Sequence, residues 1–296
     1  MTHDQPASAP TPAGPAAPAT AAPATGAAAR PDVAELLRIA TEVAVEAAAL
    51  AARRRAEGVE VAATKSSLVD VVTHTDREVE QLVREQLAAR RPGDGFLGEE
   101  GAADDSTTGL TWVVDPIDGT VNFLYGIPQW AVSVAVVEGG PDPLSWRALA
   151  GCVANPLSGE TYTASLGGGA WLGDQRLRPS SPESLGEALV ATGFSYEAER
   201  RVEQAAAVGR LIGRVRDIRR QGAASLDLCA VAAGRLDGYV ERGLKPWDHA
   251  AGALVAAEAG AVVQGADGSA PSETLTFAAA PSIAEALLAA VADARI

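Results

Sequence analysis

The stretch Trp112-Val-Val-Asp115-Pro-Ile-Asp118-Gly-Thr120 places two carboxylates three residues apart at the end of an apolar run. The apolar residues predict a strand that ends at Asp115, where Pro116 forces a turn and removes a backbone donor. Carboxylates at a strand end and just past a turn can converge on one point. Hard divalent cations take oxygen ligands of this kind, and Mg²⁺ typically uses a few carboxylates, waters and a substrate phosphate. The Ile117 carbonyl lies between the two acids and could add a ligand. A helix beginning at Gly119 would turn its free N–H groups towards the same place, and glycine would let an anion approach closely. Asp, Pro and Gly are also ordinary turn residues, so a surface turn is the competing reading.

Two further acidic sites extend the pattern. Gly98-Glu99-Glu100-Gly101 follows the apolar pair Phe96-Leu97, at a second expected strand end; alone, it also reads as a solvated loop. Trp247-Asp248-His249 opens an Ala-rich helix stopped by Gly260, where Asp248 alone also reads as an N-cap. The weight comes from the combination. With only carboxylates among the ligand candidates, magnesium is favoured over zinc, and His74 and His249 are expected to be supporting or structural.

The elements that must position these residues are partly visible. Asp32 with Glu35 fits a capping box, and Leu36, Leu37, Ala40 and Val43 then recur at helical spacing towards Gly58. A second helix is expected from Thr75, with Glu78 completing a box, to just before Pro92-Gly93. Strands are expected at Trp112–Val114, Val132–Val137, Leu149–Ala154, Thr161–Ala164 and Tyr239–Glu241, and helices at Leu226–Gly234 and Asp248–Ala259. These do not alternate strictly as βαβ, so stacked helix and sheet layers, an α+β class, are favoured over a doubly wound sheet.

Composition bounds the rest. Of 296 residues, 47% are apolar, enough for a sizeable core. Residues 1–30 hold twelve Ala and six Pro without periodicity and are expected to be a disordered tail, with the folded domain spanning 31–296. A basic start and a continuous Leu/Val/Ile/Phe stretch are both missing from it, which disfavours a secretory leader. No later run reaches the length of a membrane span. Cys152 and Cys229 form no CxxC pair and read as reduced, buried thiols of a cytoplasmic protein. A formal net charge of -14 gives nucleic-acid binding no electrostatic support. It also means that something positive must stand between the protein and any anionic substrate.

Leu97-Gly-Glu-Glu100, Asp115-Pro-Ile-Asp-Gly-Thr120 with Asn122-Phe123, and Trp247-Asp248 with Glu258-Ala-Gly260 resemble the signature blocks of the inositol monophosphatase family. Gly222–Leu228, Asp237–Glu241, Lys65-Ser-Ser, Asp70 and Thr73-His-Thr-Asp76 fit too, so the resemblance covers about residues 33 to 290. It implies a layered α-β-α-β-α sandwich of the inositol monophosphatase and fructose-1,6-bisphosphatase type, usually a homodimer, with Mg²⁺ dependence and lithium sensitivity. Carried over, Glu99, Asp115, the Ile117 carbonyl, Asp118 and Asp248 would hold two or three Mg²⁺ ions. Glu99 and Thr120 would orient the attacking water, with Asp76 hydrogen-bonded to Thr120. The Gly119 and Thr120 N–H groups would bind phosphate. Ala224, Glu241 and Asp248 would contact the polyol, with Lys65 on a loop nearby. The sequence departs at Ala223, where the family often has Thr or Ser, and Lys245-Pro246 resembles the histidinol-phosphate phosphatase branch.

The expected function is Mg²⁺-dependent hydrolysis of a small phosphate monoester, first a myo-inositol monophosphate, by in-line attack of water without a phosphoenzyme. Histidinol phosphate is the alternative substrate. A non-catalytic regulatory binding protein on the same fold is the alternative class.

Overall fold

The computed structural model describes residues 1–2, 32–58, 61–64 and 71–296. Lys65-Ser-Ser, Asp70, residue 31 and residues 3–30 of the expected tail lie outside the described residues. Helix α1 (Val33–Glu57) starts where the Asp32 carboxylate accepts the N–H groups of Ala34 and Glu35, and stops at Gly58, whose φ is 114°. Leu36, Ile39, Ala40, Val43, Ala44 and Ala47 make its buried stripe. Glu35 does not complete the expected box; its carboxylate pairs with Arg38 at 2.7 Å instead.

The hairpin β1 (Val61–Thr64) and β2 (Val71–Thr73) leads into α2 (His74–Arg90). Its capping box is Thr73 with Asp76, two residues earlier than expected from Thr75 and Glu78. The Glu78 carboxylate is drawn away by Arg54, at 2.6 and 2.7 Å.

Strands β3 (Gly95–Gly98) and β4 (Leu110–Asp118) are parallel neighbours. After the short helix α3 (Thr120–Tyr125), β5 (Ala131–Glu138), β6 (Arg147–Asn155), β7 (Glu160–Ser165), β8 (Gly169–Leu172) and β9 (Gln175–Arg176) add antiparallel strands in chain order, giving seven. A second sheet interleaves with helices: β10 (Leu189–Thr192), α4 (Ala198–Leu211), β11 (Asp217–Arg219), α5 (Ala224–Ala232), β12 (Gly238–Glu241), α6 (Pro246–Ala259), β13 (Val262–Gln264), β14 (Thr276–Ala279) and α7 (Ala284–Ala294). Its order is β11-β10-β12-β14-β13.

Three apolar cores stack these layers. α1 and α2 cover one face of the seven-stranded sheet through Leu36, Ile39, Val79 and Val83 against Trp112, Val114, Val134 and Cys152. α5 and α6 fill the space between the sheets, where Leu228 and Val255 meet Val113, Ala135 and Val153 on one side and Tyr239 and Ala278 on the other. α4 and α7 close the far face through Ala207, Leu211, Leu287 and Val291. The result is the α-β-α-β-α sandwich. Its central strands are buried on both faces, so β4 and β5 read as continuous apolar runs rather than alternating ones. The two middle helices approach closely: a Cβ on Gly252 would stand 2.9 Å from the Ser225 carbonyl and 3.0 Å from the Leu228 Cβ.

Candidate active site

β4 does not end at Asp115 as expected; it continues through Pro116 and Ile117 to Asp118. Asp115 pairs with Ser133 and Asp118 with Ala131, so three steps on β4 match two on β5. The extra residue is a bulge, which is where a sheet tolerates proline's missing donor. It also changes parity. Residues three apart on a regular strand face opposite sides; one inserted residue returns Asp115 and Asp118 to the same side.

Gly119 follows in the left-handed region, φ 94°, as the N-cap of α3. A Cβ there would meet the carbonyls of Gln129 at 3.0 Å and Gly222 at 3.1 Å, so position 119 combines a positive φ with close backbone on both sides. Asn122 ties the same strands of chain together, donating to the carbonyls of Gln129 at 2.6 Å and Gln221 at 2.8 Å.

A cavity of about 600 Å³ opens here. Glu99, Asp115, Ile117, Asp118, Gly119, Thr120, Ala224, Glu241 and Asp248 all line it. These residues come from β3–β4, β4–α3, α5, β12 and the first turn of α6, and they span both sheets. Lys65 lies outside the described residues, and Asp76 stands behind the wall.

The acid groups are held very differently. Asp118 Oδ2 accepts the Ser225 N–H at 2.7 Å and hydroxyl at 2.5 Å, and Oδ1 accepts the Ala224 N–H at 3.2 Å. Burial pushes this carboxyl up to about 6, with those hydrogen bonds pulling the other way. Asp115 is 1% exposed. Its Oδ1 accepts its own neighbour's N–H, that of Ile117, at 3.0 Å. Burial pushes it well above the usual carboxylate range, helped by the charges of Glu99, Asp118 and Asp248 and by a hydrogen-bonding contact with Glu99. Asp248 is not an N-cap. Lys245 caps α6, Pro246 opens it, and the Asp248 carboxylate folds back to accept the Lys245 N–H at 2.6 Å. Burial raises it too, then Glu99 and Asp118.

Behind the wall, Thr120 Oγ1 lies 3.3 Å from Asp76 Oδ1 and 3.1 Å from the Ile117 carbonyl. Asp76 is fully buried and its other oxygen accepts the N–H of Thr73 at 2.9 Å and the Thr73 hydroxyl. Burial pushes this carboxyl up to about 7, against the pull of Thr73.

The opposite end of the cavity mixes signs. Glu241 accepts the Tyr239 hydroxyl at 2.6 Å. Asp227, 2% exposed on α5, accepts the Gln221 side-chain amide at 2.6 Å. Arg200, Arg220 and Arg242 also line this end, and Lys245 pairs with Glu273. Burial raises Glu241 to about 7 and Asp227 well above its usual range, with Arg220 opposing both.

Ser225, Asp227 and Arg220 were not singled out from the sequence, and Thr73 entered only as part of the Thr73-His-Thr-Asp76 block. The one signal for Ser225 was its place in the Gly222–Leu228 block, beside the departure at Ala223. His249 is buried and neutral, pushed down to about 4, and packs against Trp146 with ring centres 6.2 Å apart. His74 is exposed.

Can these residues hold cations? Among the described residues, no group of three His, Cys, Asp or Glu side chains is already arranged to hold a metal ion. The chemistry of the set nevertheless fits one. Glu99, Asp115, Asp118 and Asp248 are among the carboxylates lining one cavity, and the charge of Glu99 raises the proton affinity of the other three, which leaves buried negative charge to be compensated. All side-chain donors are hard oxygens, which suits Mg²⁺ better than softer metals.

Three comparisons with known proteins agree. The chain is 47% identical over 280 residues to an inositol-1-monophosphatase of Mycobacterium leprae, covering 88% of this chain and 94% of that one. A solved structure of Mycobacterium tuberculosis SuhB superposes with a TM-score of 0.75 at 45% identity, covering 88% of this chain and 97% of that one. A Nus factor SuhB of Vibrio cholerae is 36% identical over 230 residues, 77% of this chain and 84% of that one. The model of the inositol monophosphatase family matches residues 32–295, essentially every element that builds the cavity, and the chain belongs to that family.

Proposed function

We propose that this protein hydrolyses a small phosphate monoester, first an inositol monophosphate, with Mg²⁺ bound by Glu99, Asp115, the Ile117 carbonyl, Asp118 and Asp248. The observation that carries this reading is the gathering of four carboxylates from distant parts of the chain into one cavity. Bound there, divalent cations would acidify a water, neutralise the phosphoryl oxygens and stabilise the leaving alkoxide.

The chain's own groups do the positioning. The Thr120 hydroxyl has one proton and two acceptors within reach, Asp76 and the Ile117 carbonyl. Donating to either leaves its lone pairs free to accept from the attacking water. Glu99 supplies the second acceptor for that water. Asp76, poised near neutrality by burial, can take up the proton that arrives through Thr120. The Gly119 and Thr120 N–H groups, at the start of a helix, have no intrahelical acceptors and receive the phosphate. At the far end, Glu241, Ala224 and Asp248 contact the polyol, and Glu241 is braced for hydroxyl hydrogens by Tyr239. Lys65 belongs to this set by sequence alone. A cytoplasmic homodimer inhibited by lithium completes the reading; two free, buried cysteines agree with a reducing compartment. Among the described residues, no helix is long and apolar enough to cross a membrane.

Phosphate release should be measured on a panel containing inositol monophosphate and histidinol phosphate, with and without Mg²⁺. Preferred turnover of the inositol ester supports the proposal. Glu241 could instead pair with an ammonium, so preferred turnover of histidinol phosphate would replace the substrate and keep the chemistry. No turnover of any monoester, with a retained protein partner, would favour the regulatory class. In single turnover, solvent ¹⁸O should enter phosphate directly; label arriving through a carboxylate would refute attack by water.

A further inference from the structure

The turn that carries Glu99 rests on a second buried carboxylate. Glu80 is 4% exposed on α2. Its Oε2 accepts the Glu100 N–H at 2.7 Å. Gly98 and Gly101 flank the turn, and neither has space for a side chain. A Cβ on Gly101 would stand 2.6 Å from Glu80 Oε1, and one on Gly98 would clash with Oε2. The Gly98–Gly101 backbone therefore lies directly on the Glu80 carboxylate.

Arg84, one helical turn on, clamps the other side. It donates to the Ala102 carbonyl at 2.8 Å, lies 3.5 Å from Glu80 Oε1 and pairs with Asp104. Its guanidinium stacks 4.0 Å from the Phe96 ring centre. Asp76, Glu80 and Arg84 are spaced four apart, so they share one face of α2. That face meets the site twice: Asp76 reaches Thr120, and Glu80 reaches the turn of Glu99.

We propose that Glu80 is a positioning residue that holds the Gly98–Gly101 turn so that the Glu99 carboxylate points into the cavity. The inference rests on the reading of Glu99 as a cation ligand. It makes α2 a common brace for both groups that orient the attacking water. A buried ligand-supporting carboxylate of this kind typically changes metal affinity when it is lost.

The test uses the whole protein with Mn²⁺ as the probe, its affinity read by calorimetry, and exchange of the Glu100 amide read alongside. Glu80→Ala should weaken Mn²⁺ roughly 10–100-fold and deprotect the Glu100 amide. Glu80→Gln keeps an acceptor for that amide and should recover much of both. If Glu80→Ala does not fold, Glu80→Asp serves: its shorter side chain should weaken Mn²⁺ in the same direction. In a Glu99→Gln background the further loss from Glu80→Ala should shrink to within about twofold, because Glu80 acts only through Glu99. A lowered Tm with Mn²⁺ affinity unchanged within about twofold would overturn the inference, as would an equal loss in both backgrounds. Wild-type protein that binds no Mn²⁺ at all would instead overturn the cation reading beneath it, and this inference with it.

Discussion

The two ends of the cavity solve the burial of charge in opposite ways. At the β4–α6 end, Glu99, Asp115, Asp118 and Asp248 stand together, and Asp115 has a single backbone donor for relief. At the β12 end, Glu241 and Asp227 each have a side-chain donor, and Arg220 lowers the proton affinity of both. The second end is close to neutral by itself. The first is incomplete, because Asp115, Asp118 and Asp248 take only backbone and hydroxyl donors, and buried charge without a countercharge is costly. On the proposed reading the difference assigns the roles: the incomplete end would take the cations and do the chemistry, and the balanced end would select the organic part of the substrate.

The sharpest way to break this contrast is Asp115→Asn. Several kcal/mol of cation-borne stabilisation should go with it, so turnover in saturating Mg²⁺ should fall by roughly 10³-fold or more. The same change removes a repelled buried charge, so the cation-free protein should melt higher, not lower. Near-normal turnover would erase the distinction between the ends.

Glu241→Gln should act on the other end only. KM for the inositol ester should rise by roughly tenfold while kcat changes less, the pattern of a lost ground-state contact. The pH dependence sharpens the point. The Glu241 carboxyl is raised from 4.5 to about 7 in the fold, so the folded state holds a proton that the unfolded chain has lost. Its contribution is full below about 4.5 and disappears as pH rises towards about 7. Denaturant melts of cation-free protein should therefore show stability falling across that window, and Glu241→Gln should flatten the slope.

Gly252→Ala should act mainly on packing. The added methyl meets the Ser225 carbonyl and Leu228, which should cost about 1–3 kcal/mol of stability, while kcat of the folded fraction should fall far less than in Asp115→Asn because Ser225 only holds Asp118. The smallest effect is expected from deleting residues 1–30, since every described residue lining the cavity lies between Glu99 and Thr274. Unchanged kcat and KM would be the result.

Much of the carboxylate-rich end was legible. The apolar run into Asp115-Pro-Ile-Asp118 carries a local signal of its own, while the paired acids at 99 and 100 and Asp248 at a helix start gain weight only in combination with it. Local spacing could not reveal the bulge. By period alone Asp115 and Asp118 would face apart, and only pairing with β5 shows the extra residue. Ser225, Asp227 and Glu80 were missed for a related reason. Each reads as an ordinary helix residue, and what it does depends on a group elsewhere: Ser225 meets Asp118 across 107 positions. The second sheet was mostly illegible because β11 and β13 have only three residues each, too few to display a period of two. α4 was hidden by polarity, since only Ala207 and Leu211 of its fourteen residues are buried.

The most direct measurement is the rate of phosphate release from inositol monophosphate as Mg²⁺ is removed with a chelator and restored. Release should stop without the cation, return on its addition, and remain absent at every Mg²⁺ concentration in a protein lacking the Asp115 and Asp248 carboxylates. Release that persists in the chelator, or survives loss of both carboxylates, would contradict the assignment of this cavity as a cation-dependent phosphatase site.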